Sequence, residues 1–109
     1  MKIITKKKEK LILKEECWNL DYSLIVWLNN HLKQYYEDAD KMVDLDHIKF
    51  KYKRKEYTQR EIIERLIAIT NVLIDEDTYW GYEGDPKLVL KLKDEMYDLL
   101  KISHFSLWW

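Results

Sequence analysis

The chain has 109 residues and a net charge of −1, with 36% charged and 47% apolar residues. That balance suits one folded domain over residues 1–109 and excludes a disordered tail or a membrane protein. The lone Cys17 rules out an internal disulfide, and no apolar run reaches the roughly 18–20 residues of a spanning helix. With no apolar signal-peptide stretch behind the N-terminal lysines, a cytoplasmic protein is expected.

In chain order, Lys2–Thr5 and Lys10–Lys14 are short apolar or β-branched runs around a charged turn, readable as a hairpin or, from Leu11, as the start of a helix. Asp21 then stands as N-cap of an amphipathic helix running to about Lys41, its apolar stripe Leu24, Trp27, Leu28, His31, Leu32 and Tyr35. On that stripe His31 reads as a buried, hydrogen-bonded histidine rather than a ligand. Strict alternation over His47–Lys53 predicts a half-buried strand with Ile48, Phe50 and Tyr52 inward. The other side carries His47, Lys49, Lys51 and Lys53, and a turn at Arg54-Lys55 returns the chain through Glu56-Tyr57.

Thr58-Gln59-Arg60-Glu61 is a capping box, opening a helix whose buried stripe runs Ile62, Ile63, Leu66, Ile67, Ile69, Thr70 and Leu73. Glu61, Glu64, Arg65 and Ala68 fall on its opposite side. After a loop over Asp75–Gly84, Asp85-Pro86 reads as N-cap and first residue of a third helix, buried through Leu88, Val89, Leu92, Met96, Leu99 and Leu100. The expected fold is α+β: three amphipathic helices with a small antiparallel β-hairpin or sheet.

Charge is segregated along the chain. Residues 1–15 carry a net +4 and 49–60 a net +5, whereas 37–46 carry −4 and 75–85 carry −5. Such blocks either give the molecule a positive and a negative face or are solvated turns. Lys49, Lys51, Lys53, Arg54 and Lys55 form a basic surface suited to phosphates or an acidic protein, or lysines that keep a strand edge from aggregating. Lysine reads bases poorly, and the overall acidity argues against nucleic acid. Tyr79, Trp80 and Tyr82, in an acidic loop, are residue types that anchor interfaces or fold back to cap a core. Trp108 and Trp109 are expected to dock on the domain or on a second copy, forming a homo-oligomer.

Catalytic signals are thin. Cys17 sits beside Glu15 and Glu16, which raise a thiol pKa, and the three histidines are scattered. No Cys/His cluster has zinc spacing, and two glycines do not make a phosphate loop, so no cofactor is expected. Glu61-x-x-Glu64 and Glu95-x-x-Asp98 resemble the ExxE…ExxD pattern of the all-α MazG-like nucleoside triphosphate pyrophosphohydrolases. That resemblance implies four carboxylates binding Mg²⁺. Helical phase instead turns Glu61, Glu64 and Asp98 outward into water.

The run Trp18-Asn19-Leu20-Asp21-Tyr22-Ser23-Leu24, followed by His31-Leu32-Lys33, resembles a segment of small uncharacterised proteins of tailed bacteriophages. The resemblance implies phage origin and, by analogy, an accessory role in binding a host factor or sequestering a signal molecule. The expectation is a non-enzymatic binding protein. It would act on a host protein or a small anionic ligand through Lys49–Lys55 and Tyr79–Tyr82, with an Mg²⁺-dependent hydrolase as the rival.

Overall fold

The computed structural model describes residues 19–81 and 85–107; Lys2–Thr5, Lys10–Lys14, Cys17, Tyr82, Trp108 and Trp109 lie outside them. Among the described residues, four α-helices and one two-stranded antiparallel sheet follow in the order α1 Leu20–Met42, β1 Lys49–Tyr52, β2 Lys55–Thr58, α2 Gln59–Leu73, α3 Glu76–Tyr79 and α4 Pro86–Ser103. A 3₁₀ turn, His104–Ser106, closes the described chain. The fold is α+β, and among the described residues no helix is long and apolar enough to cross a membrane.

The 23 residues of α1 contain no Gly or Pro to interrupt them. The helix begins at Asn19, not Asp21. Asn19 takes a left-handed conformation (φ 47°) without capping through its side chain, a conformation asparagine tolerates better than most residues. Asp21 instead lies in the first turn, where its charge favours the helix dipole. The buried line is Ile25, Asn29, Leu32 and Ala39, with Tyr22, Leu28, Tyr35 and Tyr36 at its margins. The expected stripe is therefore rotated: Leu24, Trp27 and His31 face outward.

Beyond α1, Leu45 is fully buried and its carbonyl accepts from the Arg60 amide, while Asp44 Oδ1 accepts from the Asp46 amide. These bonds bend the chain through 44–47, so the strand starts at Lys49 rather than His47 and leaves Ile48 exposed. The hairpin pairs Lys49 with Thr58, Phe50 with Tyr57, Lys51 with Glu56 and Tyr52 with Lys55. Its turn is Lys53-Arg54, one residue earlier than the sequence predicts, because this pairing sets Phe50 against Tyr57 over the core. Both turn residues have positive φ, 48° and 69°, as a two-residue type I′ connection requires.

At the next junction the sequence signals hold. Thr58 Oγ1 accepts from the Glu61 amide at 3.2 Å, and Glu61 Oε1 accepts from the Thr58 amide at 3.0 Å, completing the capping box. Asp85 caps α4 by accepting from the Lys87 amide at 2.9 Å, with Pro86 at the first position. The 75–84 segment departs from a plain loop: Asp75 accepts from the Asp77 amide and the Thr78 hydroxyl, folding Glu76–Tyr79 into one helical turn.

Helix α2 forms the centre. Ile62, Leu66, Ile69 and Leu73 meet Ile25 and Leu32 of α1 on one flank and Val89, Leu92, Met96 and Leu99 of α4 on the other. At roughly 1.5–3 kcal/mol per fully buried aliphatic side chain, this cluster dominates the driving force. A smaller cluster of Ala39, Leu45 and Ile63, packed against Tyr35, Tyr36 and Leu107, seals the end near the chain terminus. Gln59 Nε2 and the Tyr35 hydroxyl donate to the Ser106 carbonyl at 2.6 and 3.3 Å and hold the 3₁₀ turn there.

Neither Lys53 nor Arg54 suits left-handed backbone. Replacing them together, Lys53→Asn with Arg54→Gly, is expected to raise stability by about 1 kcal/mol. A higher urea midpoint at unchanged slope checks it; a midpoint equal to or below wild type would show the turn is not strained.

Candidate functional site

The polar side of α2, one edge of α4 and the inner face of the hairpin border a cavity of about 370 Å³ that is open to solvent. The capping box starts α2 at a fixed residue, which places Glu61, Glu64 and Arg65 on the side facing the cavity. Helix α4 brings Glu95 and Leu99, the hairpin brings Tyr52 and Tyr57, and Ile62 lines its apolar part.

One ion pair bridges the two helices. The Arg65 guanidinium donates from Nε and Nη2 to the two oxygens of Glu95, at 2.5 and 2.9 Å, a fork geometry that only arginine supplies. Hydrogen bonding to Arg65 holds the Glu95 carboxyl below the usual glutamate range, and Glu95 in turn pushes the arginine pKa up. Asp98 stands one turn further along α4, accepting from the Tyr52 hydroxyl at 3.3 Å. Burial pushes the Tyr52 hydroxyl pKa up. The Lys53 ammonium lies 5.4 Å from the Tyr52 ring centroid.

The four carboxylates of the ExxE…ExxD pattern thus fall into two sorts. Glu61, Glu64 and Asp98 are exposed, as helical phase predicts, whereas Glu95 is half-buried and bound to arginine. Glu61, Glu64 and Glu95 do share one cavity, with Arg65 among them. Among the described residues no group of three or more His, Cys, Asp or Glu is arranged to hold a metal ion.

The basic row is divided by the hairpin. Lys49 and Lys51 project from the outer face, where Lys49 lies 3.8 Å from Glu56 and Lys51 is paired across the strands with the same glutamate. Lys53 leaves that row, because the turn carries it back over Tyr52. Arg54 and Lys55 are exposed, and Lys55 sits opposite Tyr52 rather than with Lys51. Lys55 therefore lies on the opposite face of the hairpin from Lys49 and Lys51.

Tyr79 is a correction: it is 8% exposed and belongs to the core. Its ring meets those of Tyr22 and Trp80 edge-on at 5.3 and 4.8 Å, and its hydroxyl donates to Asp21. Burial and that bond push the hydroxyl pKa well up, and the same bond lowers that of Asp21. Trp80 remains 41% exposed. The segment caps the core through Tyr79 while leaving part of Trp80 outside.

A surface absent from the sequence reading lies on α1. Leu20, Leu24 and Trp27, spaced i, i+4 and i+7, are 61, 48 and 55% exposed on the side away from the core. His31 corrects the buried expectation: it is exposed and stacks on Trp27 at 3.9 Å, its Nδ1 lying 2.7 Å from the Trp27 carbonyl oxygen. The available signal was the number of apolar residues in α1, more than one buried face can use.

Comparison with known proteins finds no family model, no curated protein and no solved structure that matches the chain.

A glutamate whose pKa falls on folding adds stability above its unfolded value, and that stability is lost as pH drops through the folded value. Wild-type stability is therefore expected to decline below about pH 4.3 with a contribution from Glu95. In Glu95→Gln that part of the slope disappears. Urea midpoints measured between neutral and acid pH check this; parallel curves would mean that the Arg65–Glu95 pair adds nothing.

Proposed function

We propose that this protein is a non-enzymatic binding protein, phage-encoded, that engages a host protein through the outer face of α1. The carrying observation is Trp27, 55% exposed between Leu20 and Leu24 on a helix whose opposite face is already buried in the core. Anchors at i, i+4 and i+7 are how a helix enters an apolar groove, and Trp is the side chain most often dominant there. The resemblance of residues 18–24 to phage accessory proteins supports the source and the class of role. A protein partner is favoured over a small anionic ligand because the hairpin cations are divided between two faces and Lys49 lies beside Glu56.

A second reading, the Mg²⁺-dependent nucleotide hydrolase, draws on the shared cavity of Glu61, Glu64 and Glu95. The resident Arg65 weighs against it, since its guanidinium occupies both oxygens of one ligand the reaction needs.

Trp27→Glu is a surface change and is expected to leave stability within about 0.5 kcal/mol of wild type. It should abolish retention of the host protein that wild type captures, whereas Lys51→Glu with Arg54→Glu should not. Retention by Trp27→Glu together with loss in the hairpin double variant would transfer the contact to the basic hairpin. Mg²⁺-dependent pyrophosphate release abolished by Glu64→Gln would establish the hydrolase instead.

A further inference from the structure

Helix α4 presents a second stripe to solvent. Val89, Leu92, Met96 and Leu99 turn into the core. The opposite side carries Leu90, Asp94, Tyr97 and Lys101, in steps of four, three and four residues. The 3₁₀ turn adds Phe105 after four more. Leu90 is 61% exposed, Tyr97 52% and Phe105 90%. Phe105 stacks on the adjacent His104, ring centroids 5.5 Å apart, and belongs to neither core cluster. With Leu90 and Tyr97 it makes an apolar line that the described residues leave uncovered. Asp94 and Lys101 are exposed and take part in none of the ion pairs among the described residues.

The order of these five residues reads the same from either end: apolar, charged, apolar, charged, apolar, with the two charges opposite in sign. On a second copy of itself, antiparallel about a two-fold axis beside Tyr97, the line therefore matches at every step. Leu90 meets Phe105, Asp94 meets Lys101, the two tyrosines meet at the axis, and each unlike contact occurs twice. Parallel alignment would set Asp94 on Asp94 and Lys101 on Lys101, which like charges oppose. A foreign partner requires no such mirror order. The outer line of α1 lacks it: Leu20, Leu24 and Trp27 are followed by His31, Gln34 and Asp38, the last two bonded to each other at 3.0 Å.

We infer that the outer face of α4 is a self-association surface, on which two copies of the chain pair antiparallel. Leu90 and Phe105 are its apolar anchors, and Asp94 with Lys101 its reciprocal ion pairs. The surface is independent of the α1 face, so the second copy and a host protein use different helices.

Sedimentation velocity on the full chain over a range of concentrations tests it. Wild type is expected to form a concentration-dependent dimer. Asp94→Lys and Lys101→Asp each set like charges in both reciprocal pairs and should weaken the dimer about tenfold. Both positions are exposed, so each variant keeps the fold, which an unchanged urea midpoint checks. Mixed in equal amounts the two variants should pair with each other, because one then carries only cations along the line and the other only carboxylates. Phe105→Ser should weaken the dimer as well. A monomer at every concentration, a dimer unchanged in Asp94→Lys or Phe105→Ser, or charge variants that stay apart on mixing would each overturn the assignment.

Discussion

Everything else in this fold is arranged on the double-sided burial of α2. Its line of Ile62, Leu66, Ile69 and Leu73 is enclosed by α1 and α4 together, and neither neighbour alone would cover it. Apolar packing of this kind is tolerant of sliding, so polar contacts set the alignment. On one flank Asn29 Nδ2 donates to Thr70 Oγ1 at 2.8 Å and to Asn71 Oδ1 at 2.9 Å. Asn29 is buried, and among the described residues its own Oδ1 has no hydrogen-bond partner, a cost of the kind that polar contacts carry where they fix how helices meet. On the other flank the Arg65–Glu95 fork fixes α4 and at the same time closes one side of the cavity.

The segregated charge of the sequence is partly consumed inside the molecule. Arg60, from the basic 49–60 block, lies 2.7 Å from Asp40 and 3.1 Å from Asp46, both from the acidic 37–46 block, and donates to the Tyr36 hydroxyl. These bonds push its pKa up and tie the end of α1 to the start of α2. What sequence alone leaves open as two opposed faces is here, at least in part, one local network. Asp75, from the acidic 75–85 block, is used separately, accepting from the Thr78 hydroxyl within its own turn.

Elements whose signal is local were legible: the Thr58–Glu61 box, the Asp85-Pro86 start and the alternation of Phe50 and Tyr52 each depend on neighbours within four residues. The misread parts depend on distant chain. Helix α1 is apolar on two sides, and only contact with α2 decides that Ile25 and Asn29, not Leu24 and Trp27, turn inward. Tyr79 is buried because Tyr22 and Asp21, far away in sequence, receive it. The spacing of Glu61, Glu64 and Glu95 was visible, yet not that Arg65 would claim Glu95, since a pair 30 positions apart has no sequence signature.

Thr58 is both the final residue of β2 and the N-cap of α2, so strand passes into helix with no intervening loop. A joint of zero length has no slack. The hairpin cannot swing away without unwinding the first helical turn, and Tyr57 is therefore carried as a stiff lever beside the cavity mouth. Strand pairing and the first turn of α2 therefore set the position of Tyr57 jointly.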